Sequence, residues 1–301
     1  MSRALALNVL PFGLVALLAL AIGVMGMCVT PRASGVTGVS PSSTPTAAPR
    51  SPSDAGEMLR VHNELRAAVA APAVRADVRV TAAAQRHAEY LAQNNSLGHQ
   101  ELPGSPGFSG ATVRDRLAAQ GYADATASEV ATSFGSGPDG VRALWVLPYH
   151  RLGLMHPHAV IAGWGHADMD GRSTTVGVLV YDFDASAPDV VRSPSAGHRV
   201  PASWDGEESP DVLPGGATRP VGYPLMLIVS HARVVELRSA RITDAAGRVI
   251  AYHVVPQLYE RDYVAVVPAQ PLSRGASFTV RLELRIAGVD AAEEWGFETE
   301  P

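Results

Sequence analysis

The side chain best suited to chemistry is that of His150, within the stretch from Val141 to Gly165. An imidazole can act as an acid, a base or a metal ligand near neutral pH. Around it the sequence predicts a helical run with Trp145, a stop at Pro148, and then a buried strand over 160–165. Two roles are open for His150: it faces a cleft and does chemistry, or it starts a helix and is held by packing. A lone histidine favours packing, so the rest of the chain must decide.

Helical patterns before this stretch provide the elements that would position such a site. Thr81 is a candidate N-cap of a second helix, and Thr112 with Asp115 forms a cap pair for a third. Gly137-Pro138 opens the helix that carries Trp145. The first helix is indicated by an apolar stripe at helical spacing, formed by Met58, Val61, Leu65 and Val69.

Two strand-like runs follow the helices, at Val160–Trp164 and Thr174–Phe183. The turn between them has Asp170-Gly171 at its tip, which is typical of a hairpin. Helices followed by paired strands predict an α+β domain over residues 55–185, or an α/β/α layering if helices cover both faces.

Length and charge limit the class of protein. A chain of 301 residues suggests two domains, and 47% apolar residues are enough for a proper core. The net charge of −5 and a pI near 6.0 argue against nucleic acid or an anionic membrane surface as the main partner, because both require a basic face.

The N-terminal segment predicts export from the cytoplasm. Residues 1–28 contain an apolar run from Val9 to Met27 that is about as long as a membrane-spanning helix needs. Three outcomes stay open: an uncleaved membrane anchor, lipid attachment at Cys28 as in a lipoprotein, or secretion after removal of a signal peptide. Residues 29–54 are rich in Pro, Ser and Thr and predict a flexible linker. The single cysteine excludes an internal disulfide and cysteine-clustered metal sites.

The C-terminal part of the chain has a different pattern. Residues 186–204 are again rich in Pro, Gly, Asp and Ser, so a linker is expected there. Residues 205–301 show evenly spaced short strands without a helical stripe, which predicts an all-β sandwich. These runs are Pro224–Val229, Val234–Ile242, Val249–Val255, Tyr263–Val267, Ser277–Ile286 and Trp295–Thr299.

Three pieces in order resemble the CAP superfamily (the cysteine-rich secretory, antigen 5 and pathogenesis-related 1, or SCP-like, domain) in its bacterial form. The first is VHNELR at 61–66, followed by QRHAEYLAQNN and GHQE. The second is Arg116 with Gly121-Tyr122 ahead of SEV at 128–130. The third is Trp145, then PYHR, the strand at 161–165 and a strand that ends in VYDF. The resemblance covers about residues 55–185.

That resemblance implies an α-β-α sandwich with a central cleft, where two histidines and one or two glutamates hold a divalent metal in several members. Carried over by position, these ligands are His99, Glu129 and His150. Val130 stands where the family usually has asparagine. The family's second glutamate has no counterpart after Trp145.

Two imidazoles and one carboxylate are enough to bind Zn²⁺ and leave a position open for water. A catalytic zinc also needs a general base near that water, and the motif places no further carboxylate there. One interpretation is therefore a weak, solvent-open zinc site, and the other is a hydrogen-bonded polar cluster that closes the cleft. Other residues expected to line the cleft are Tyr90, Tyr122, Tyr149 and Arg151.

The remaining histidines receive a structural interpretation. His62 and His87 lie on helices, where solvent exposure or packing explains them, and His156 with His158 is expected to form a turn around the proline between them.

The C-terminal segment resembles the Ig-like modules of bacterial surface proteins. The run VVPAQPLSRGASFTVRLELRIAGV, followed by WGFET, has the Pro-Leu-x-x-Gly turn before a long strand that these modules share. The resemblance implies an adhesive or spacer domain without catalysis.

The sequence as a whole predicts an exported, extracytoplasmic cell-surface protein. Its expected role is non-catalytic binding of a small apolar ligand, a lipid or a cell-wall component in an apolar-walled cleft. One alternative is a metal-assisted hydrolase that uses His99, Glu129 and His150, and another is a structural surface protein. The sequence assigns no catalytic residue.

Overall fold

The computed structural model describes residues 52–135, 137–231 and 234–301. The expected signal peptide or anchor at 1–28, with its Cys28, and nearly all of the expected linker at 29–54 lie outside the described residues. Across these ranges, no helix has the combination of length and apolarity that a membrane crossing requires.

Residues 52–185, here called the helical half, contain five helices in their described part. The first begins three residues before the expected start of order at Ala55, with a proline at the position where a missing N–H costs nothing. The fourth and fifth helices are separated at Pro148, which cannot continue the helical hydrogen-bond ladder. The helices are α1 (Pro52–Ala68), α2 (Val78–Gln93), α3 (Val113–Ala119), α4 (Pro138–Val146) and α5 (Pro148–Met155).

Short-range hydrogen bonds define two of the helix starts. Asp77 caps α2 by accepting the backbone N–H of Arg79 at 2.8 Å. Thr81, the expected N-cap, therefore lies inside the first turn, and that prediction was wrong because a better-placed acceptor precedes it. The predicted cap pair of α3 is confirmed: the backbone N–H of Asp115 donates to the Thr112 hydroxyl, and that of Thr112 donates to the Asp115 carboxylate.

Three antiparallel strands form the sheet of the helical half, in the order β1-β3-β2. The predicted hairpin turn is confirmed at Asp170-Gly171, whose φ angles of 51° and 76° suit a tight two-residue connection. The sequence pattern predicts the two hairpin strands but not the first strand, because TASEVAT contains few large apolar residues. The strands are β1 (Thr126–Thr132), β2 (Ala159–Met169) and β3 (Arg172–Tyr181).

Helices cover both faces of this sheet. On one face α2 and α3 pack through Leu91 and Leu117 against Val178. On the other face α1, α4 and α5 pack against Trp164 and Leu179. The predicted α+β class is confirmed, with the helices and the sheet arranged in α-β-α layers.

Residues 186–301, here called the β half, form two sheets in their described part. The four-stranded sheet has the order β4-β6-β10-β9, and the five-stranded sheet has the order β5-β12-β11-β7-β8. Their strands are β4 (Val190–Ser193), β5 (Arg199–Val200), β6 (Leu225–Val229), β7 (Val235–Asp244), β8 (Val249–Ile250), β9 (Tyr252–Val254), β10 (Tyr263–Pro268), β11 (Ser277–Ile286) and β12 (Val289–Thr299).

The two sheets enclose a core that includes Leu227, Val266, Phe278 and Phe297. The β half is therefore strand-rich as predicted, and its Ig-like character stays a prediction. Residues 186–204 are not merely a linker, because they contain β4 and β5. The alternation in VVRS lets β4 pair with β6 and bury Val191.

The two halves share one hydrophobic core, since side chains of α4 and α5 pack with Ile228 and Ala265 of the four-stranded sheet. Arg151 lies fully buried at this junction, where its guanidinium donates to the Ser193 hydroxyl at 3.0 Å and the Pro224 carbonyl at 2.9 Å. Arg151 therefore does not have the expected cleft-lining position. Its planar fork instead satisfies several acceptors inside the protein.

Two glycines let α2 lie directly on the sheet. A Cβ on Gly163 would come within 2.4 Å of the Thr81 backbone nitrogen, and one on Gly165 would come within 2.4 Å of Gln85. Because backbone cannot move aside as a flexible side chain can, the contact requires hydrogen at these positions. The α2 helix carries residues of the site described below, so its distance from the sheet matters.

We expect Gly163→Ala to lower the free energy of unfolding by about 3 kcal/mol, because the added methyl group overpacks this contact. Gly56→Ala is the matched control, since a Cβ there meets nothing within 4 Å. The control should be neutral or slightly stabilising, as alanine favours a helix over glycine. Urea denaturation of both variants measures the difference, and equal midpoints would contradict the close contact.

His62 is a core residue of the helical half and not a solvent-exposed one. Its ring lies edge-on to Trp164, with ring centroids 5.4 Å apart, and its Nε2–H donates to the Leu154 carbonyl at 2.9 Å. Burial lowers the pKa of His62 from 6.5 to about 3. The unfolded chain therefore takes up a proton below pH 6.5 that the folded chain accepts only near pH 3.

His62 should consequently make the protein less stable as the pH falls. Its contribution is complete above pH 6.5 and is lost progressively between pH 6.5 and pH 3. Between pH 7 and pH 5, we expect the wild type to lose about 2 kcal/mol more unfolding free energy than His62→Leu does. Denaturant titrations at both pH values measure this, with His231→Leu as the exposed control. Parallel pH profiles of wild type and His62→Leu would contradict the pKa assignment.

Candidate functional site

A cavity of about 360 Å³ lies where α5, β1 and β3 of the helical half meet loops of the β half. This volume is within the range of small-molecule sites. Its walls combine aromatic, imidazole and carboxylate side chains with small residues. The lining residues that matter below are His99, Glu129, Tyr149, His150, His156, Tyr181, Phe183, Tyr259, Glu260 and Asp262.

The structure brings His99 and Glu129 together, as the resemblance implied. Glu129 lies in the middle of β1, opposite Val178 of β3. Its Oε1 is 3.1 Å from His99 Nδ1, and its side chain is 2% exposed whereas that of His99 is 51% exposed. The carboxylate thus forms the buried base of the cavity wall, and the imidazole lies at its edge.

A buried ionic network holds Glu129 from behind. Arg116 on α3 donates to Glu129 Oε2 at 2.7 Å and to the carbonyls of His99 and Gly110 at 3.1 and 3.0 Å. His87 on α2 lies between two carboxylates, 2.9 Å from Glu101 Oε1 and 3.3 Å from Glu129 Oε1. Since the side chains of Arg116 and Glu129 are 1% and 2% exposed, each of these two ions needs such partners to offset its lost hydration.

Glu101 completes the network and fixes a loop. Its Oε2 accepts the backbone N–H groups of Ser109 and Gly110, while its Oε1 faces His87. Sequence reasoning missed His87, Glu101 and Arg116 as site residues. Glu101 is the last residue of the motif piece GHQE, and Arg116 belongs to the piece that contains Gly121-Tyr122. Their place in these motifs was the available sequence signal, but it did not reveal what either side chain does.

His150 has a different partner from the one expected. It lies in the first turn of α5, where its Nδ1 is 2.7 Å from Glu208 Oε1. The same oxygen accepts the backbone N–H groups of Tyr149 and His150 at 2.9 and 3.2 Å, so Glu208 also occupies the positive end of the helix. His150 therefore both starts a helix and faces the cavity, which joins the two roles that the sequence left open.

Glu208 belongs to the β half and supplies a carboxylate to this histidine from outside the motif. Its side chain is fully buried, and its Oε2 has no hydrogen-bond partner among the described residues. The resemblance placed the family's second glutamate after Trp145, where this chain has none. No sequence signal distinguishes Glu208 from its neighbour Glu207.

The three predicted metal ligands do not form a common donor set. Both oxygens of Glu129 face Arg116 or histidines within its own network, while His150 pairs with Glu208. In the ranges that the structure describes, no group of three or more His, Cys, Asp or Glu residues is arranged to hold a metal ion. The residues present thus do not fit the zinc site that the resemblance implied.

Of the three tyrosines expected in the cleft, Tyr149 lines the cavity. Its hydroxyl donates to the Pro256 carbonyl at 3.0 Å, and burial raises its pKa to about 12. Tyr90 is buried instead, with its ring stacked on His87 at 6.1 Å. Tyr122 lies beneath the Arg79 guanidinium, 4.6 Å from the ring centroid, and does not belong to the cavity lining.

The remaining wall contains residues that the sequence did not assign to the site. His156 Nε2 is 3.1 Å from Asp262 Oδ2, which joins the end of α5 to the β half. Tyr181 shares a hydrogen bond of 2.5 Å with the Ser128 hydroxyl, and its ring stacks on Phe183 at 5.9 Å. The cavity is therefore a junction of the two halves.

Comparison with known families gives one match. Residues 59–181 match the model of the cysteine-rich secretory protein family, CAP. This segment lies within residues 55–185, over which the sequence resembles the CAP superfamily. Comparison with curated proteins gave no match.

Solved structures resemble parts of the chain at low identity. An outer surface protein of Borrelia burgdorferi is 17% identical over 43% of this chain and 93% of its own, with a TM-score of 0.38. An extracellular SCP-domain protein of Bacillus anthracis str. Ames is 18% identical over 45% of each chain, with a TM-score of 0.36. CopC of Methylosinus trichosporium OB3b is 18% identical over 36% of this chain and 89% of its own, with a TM-score of 0.27.

Replacing Arg116 with methionine should strongly destabilise the protein, because Glu101 and Glu129 would lose the buried cation that compensates them. We expect a loss of about 3–5 kcal/mol in the free energy of unfolding. Arg142→Met is the matched control, since Arg142 and its partner Asp139 have side chains 52% and 75% exposed. The control should change stability by less than about 0.5 kcal/mol. Urea denaturation measures both, and a small effect in Arg116→Met would contradict the role of the network.

Proposed function

We propose that this CAP domain and the β half together form a non-catalytic, cell-surface binding module. Its cavity takes a small ligand with an apolar body, such as a lipid or a cell-wall component. The observation that carries this proposal is the cavity of about 360 Å³ at the junction of the two halves, with aromatic side chains in its walls.

The polar groups of the cavity support binding more than catalysis. The two oxygens of Glu129 face Arg116 and histidines, and His150 pairs with Glu208 instead of Glu129. A metal-assisted hydrolase would need His99, Glu129 and His150 as common ligands of one ion. The arrangement of these three residues therefore favours a binding module over that hydrolase.

We also propose that the module is exported and that the β half is an Ig-like domain. The apolar run within residues 1–28 and the low charge of the 29–54 segment support an extracytoplasmic location, by anchor, lipid or secretion. Two packed sheets, whose strands pair antiparallel apart from the parallel β5–β12 pair, support the Ig-like assignment. In this proposal the β half is more than a spacer, because it supplies Tyr259, Glu260 and Asp262 to the cavity wall.

A residue that blocks the cavity should abolish binding without unfolding the protein. Thr126 lies at the exposed start of β1 and lines the cavity, so Thr126→Trp would fill its mouth. Thr279→Trp is the matched control on an exposed position of β11. We expect the panel ligand that binds the full chain saturably to bind at least about tenfold more weakly to Thr126→Trp and equally well to Thr279→Trp.

The ligand panel for this experiment contains a fatty acid, a phospholipid and a soluble wall-glycan fragment. Saturable binding of one of them that is lost in Thr126→Trp alone supports the proposal. The absence of saturable binding across the whole panel, or equal losses in both tryptophan variants, would contradict it.

A further inference from the structure

The charged side chains that line the cavity are acidic. Glu129, Glu260 and Asp262 contribute carboxylates, and among the described residues neither an arginine nor a lysine belongs to the lining. The chain contains no lysine, and Arg116 lies behind Glu129, where it is 1% exposed. An anionic headgroup would thus find carboxylates in the wall and no guanidinium or ammonium donor to pair with.

A buried carboxylate oxygen of a lining residue has no donor in the described part of the chain. Asp262 uses Oδ2 to face His156, while its buried Oδ1 has no hydrogen-bond partner. Because a buried acceptor without a donor is costly, this oxygen favours a ligand that brings positive charge or N–H groups.

Glu260 adds a carboxylate at the rim. It is exposed and makes no ion pair within the described residues, yet it lines the same cavity as Asp262. Burial raises the pKa of Tyr181 to about 12, and the negative charges of Glu260 and Asp262 also act to raise it. The hydrogen bond with Ser128 and the positive charge of Arg66 act to lower this pKa.

Aromatic rings occupy two sides of this acidic space. Tyr149 and Tyr259 form an edge-to-face pair with centroids 5.3 Å apart, and Tyr181 stacks on Phe183 at 5.9 Å. Tyr259 and Phe183 are 61% and 55% exposed, so their ring surfaces are accessible to a ligand. The face of an aromatic ring attracts a cation, and aromatic walls with carboxylates are the surroundings that suit an ammonium group.

We propose that the ligand of this cavity carries a cationic ammonium group attached to a small apolar body. The inference rests on the proposed binding function and adds the ligand's charge to it. Carboxylates provide the attraction over distance, and the tyrosine and phenylalanine rings contact the alkyl groups around the nitrogen. Neutral sugars and anionic lipids are the competing ligand classes.

Choline and its neutral isostere dimethylbutanol, in which carbon replaces the quaternary nitrogen, test the charge directly. Both probes have nearly the same shape, so a difference in affinity reports the positive charge. With the full chain in isothermal titration calorimetry, we expect choline to bind at least about tenfold more tightly than dimethylbutanol. Equal affinity, or tighter binding of the neutral probe, would overturn the ammonium assignment and leave the binding cavity intact.

Variants locate the effect at the cavity. Glu260→Gln should weaken choline binding about threefold, because an exposed carboxylate contributes modestly. Glu236→Gln makes the same charge change on β7, away from the cavity lining, and should bind choline as the wild type does. Equal weakening in both variants would reflect net charge alone and would overturn the assignment.

The aromatic contribution is tested at Tyr259. Tyr259→Phe keeps the ring and should retain choline binding, whereas Tyr259→Leu removes it and should lose about fivefold in affinity. Identical affinities for these two variants would overturn the aromatic part of the proposal. If neither choline nor dimethylbutanol binds while the lipid or glycan panel does, the ammonium assignment fails alone. If nothing binds, the proposed function fails with it.

Discussion

The buried pairing of Arg116 with Glu129 is the interaction on which the rest of the site depends. Two ions are removed from water here, and their contact of 2.7 Å, with the further partners of the guanidinium, compensates that loss. The pair joins α3 to β1, and the same guanidinium holds the His99 and Gly110 carbonyls. The loop between α2 and α3 therefore folds around one cation, and His99 reaches the cavity because of it.

The opposite wall depends on a second junction, at the start of α5. Glu208 returns from the β half to accept two backbone N–H groups and the His150 imidazole. Arg151, the next residue, extends the other way and bonds to Ser193 and Pro224. The first turn of α5 thus bonds to the Glu208 carboxylate and, through Arg151, to the β half. Both halves contribute walls to the cavity, so it forms only where they meet.

Local patterns were enough to predict much of the fold. Apolar stripes, the Thr112 and Asp115 cap pair and the Asp170-Gly171 turn are decided within a few residues, so they can be recognised without tertiary information. Prediction fails where another residue or strand determines the local structure. Asp77 capped α2 in place of Thr81, and TASEVAT became a strand because β3 and the buried network hold it there.

The site was predicted less completely, since its chemistry depends on residues that meet only after folding. The resemblance pointed to His99 and Glu129, but the buried partners His87 and Arg116 follow from the packing of α2 and α3 against the sheet. Glu208 could not be anticipated, because it and its neighbour have the same side chain and only the fold turns one of them inward. Long-range partners of this kind have no signature in sequence spacing.

The proposed binding site is the junction of the helical half and the β half. The most direct measurement follows the imidazole signals of the full chain by proton–nitrogen NMR during titration with a ligand that binds saturably, either choline or a member of the lipid and glycan panel. The account predicts shifts for His150 and His156, which line the cavity, and none for His253, which lies at a separate pocket of the β half. Shifts confined to His253, or no shift at His150 and His156 under saturating ligand, would contradict it.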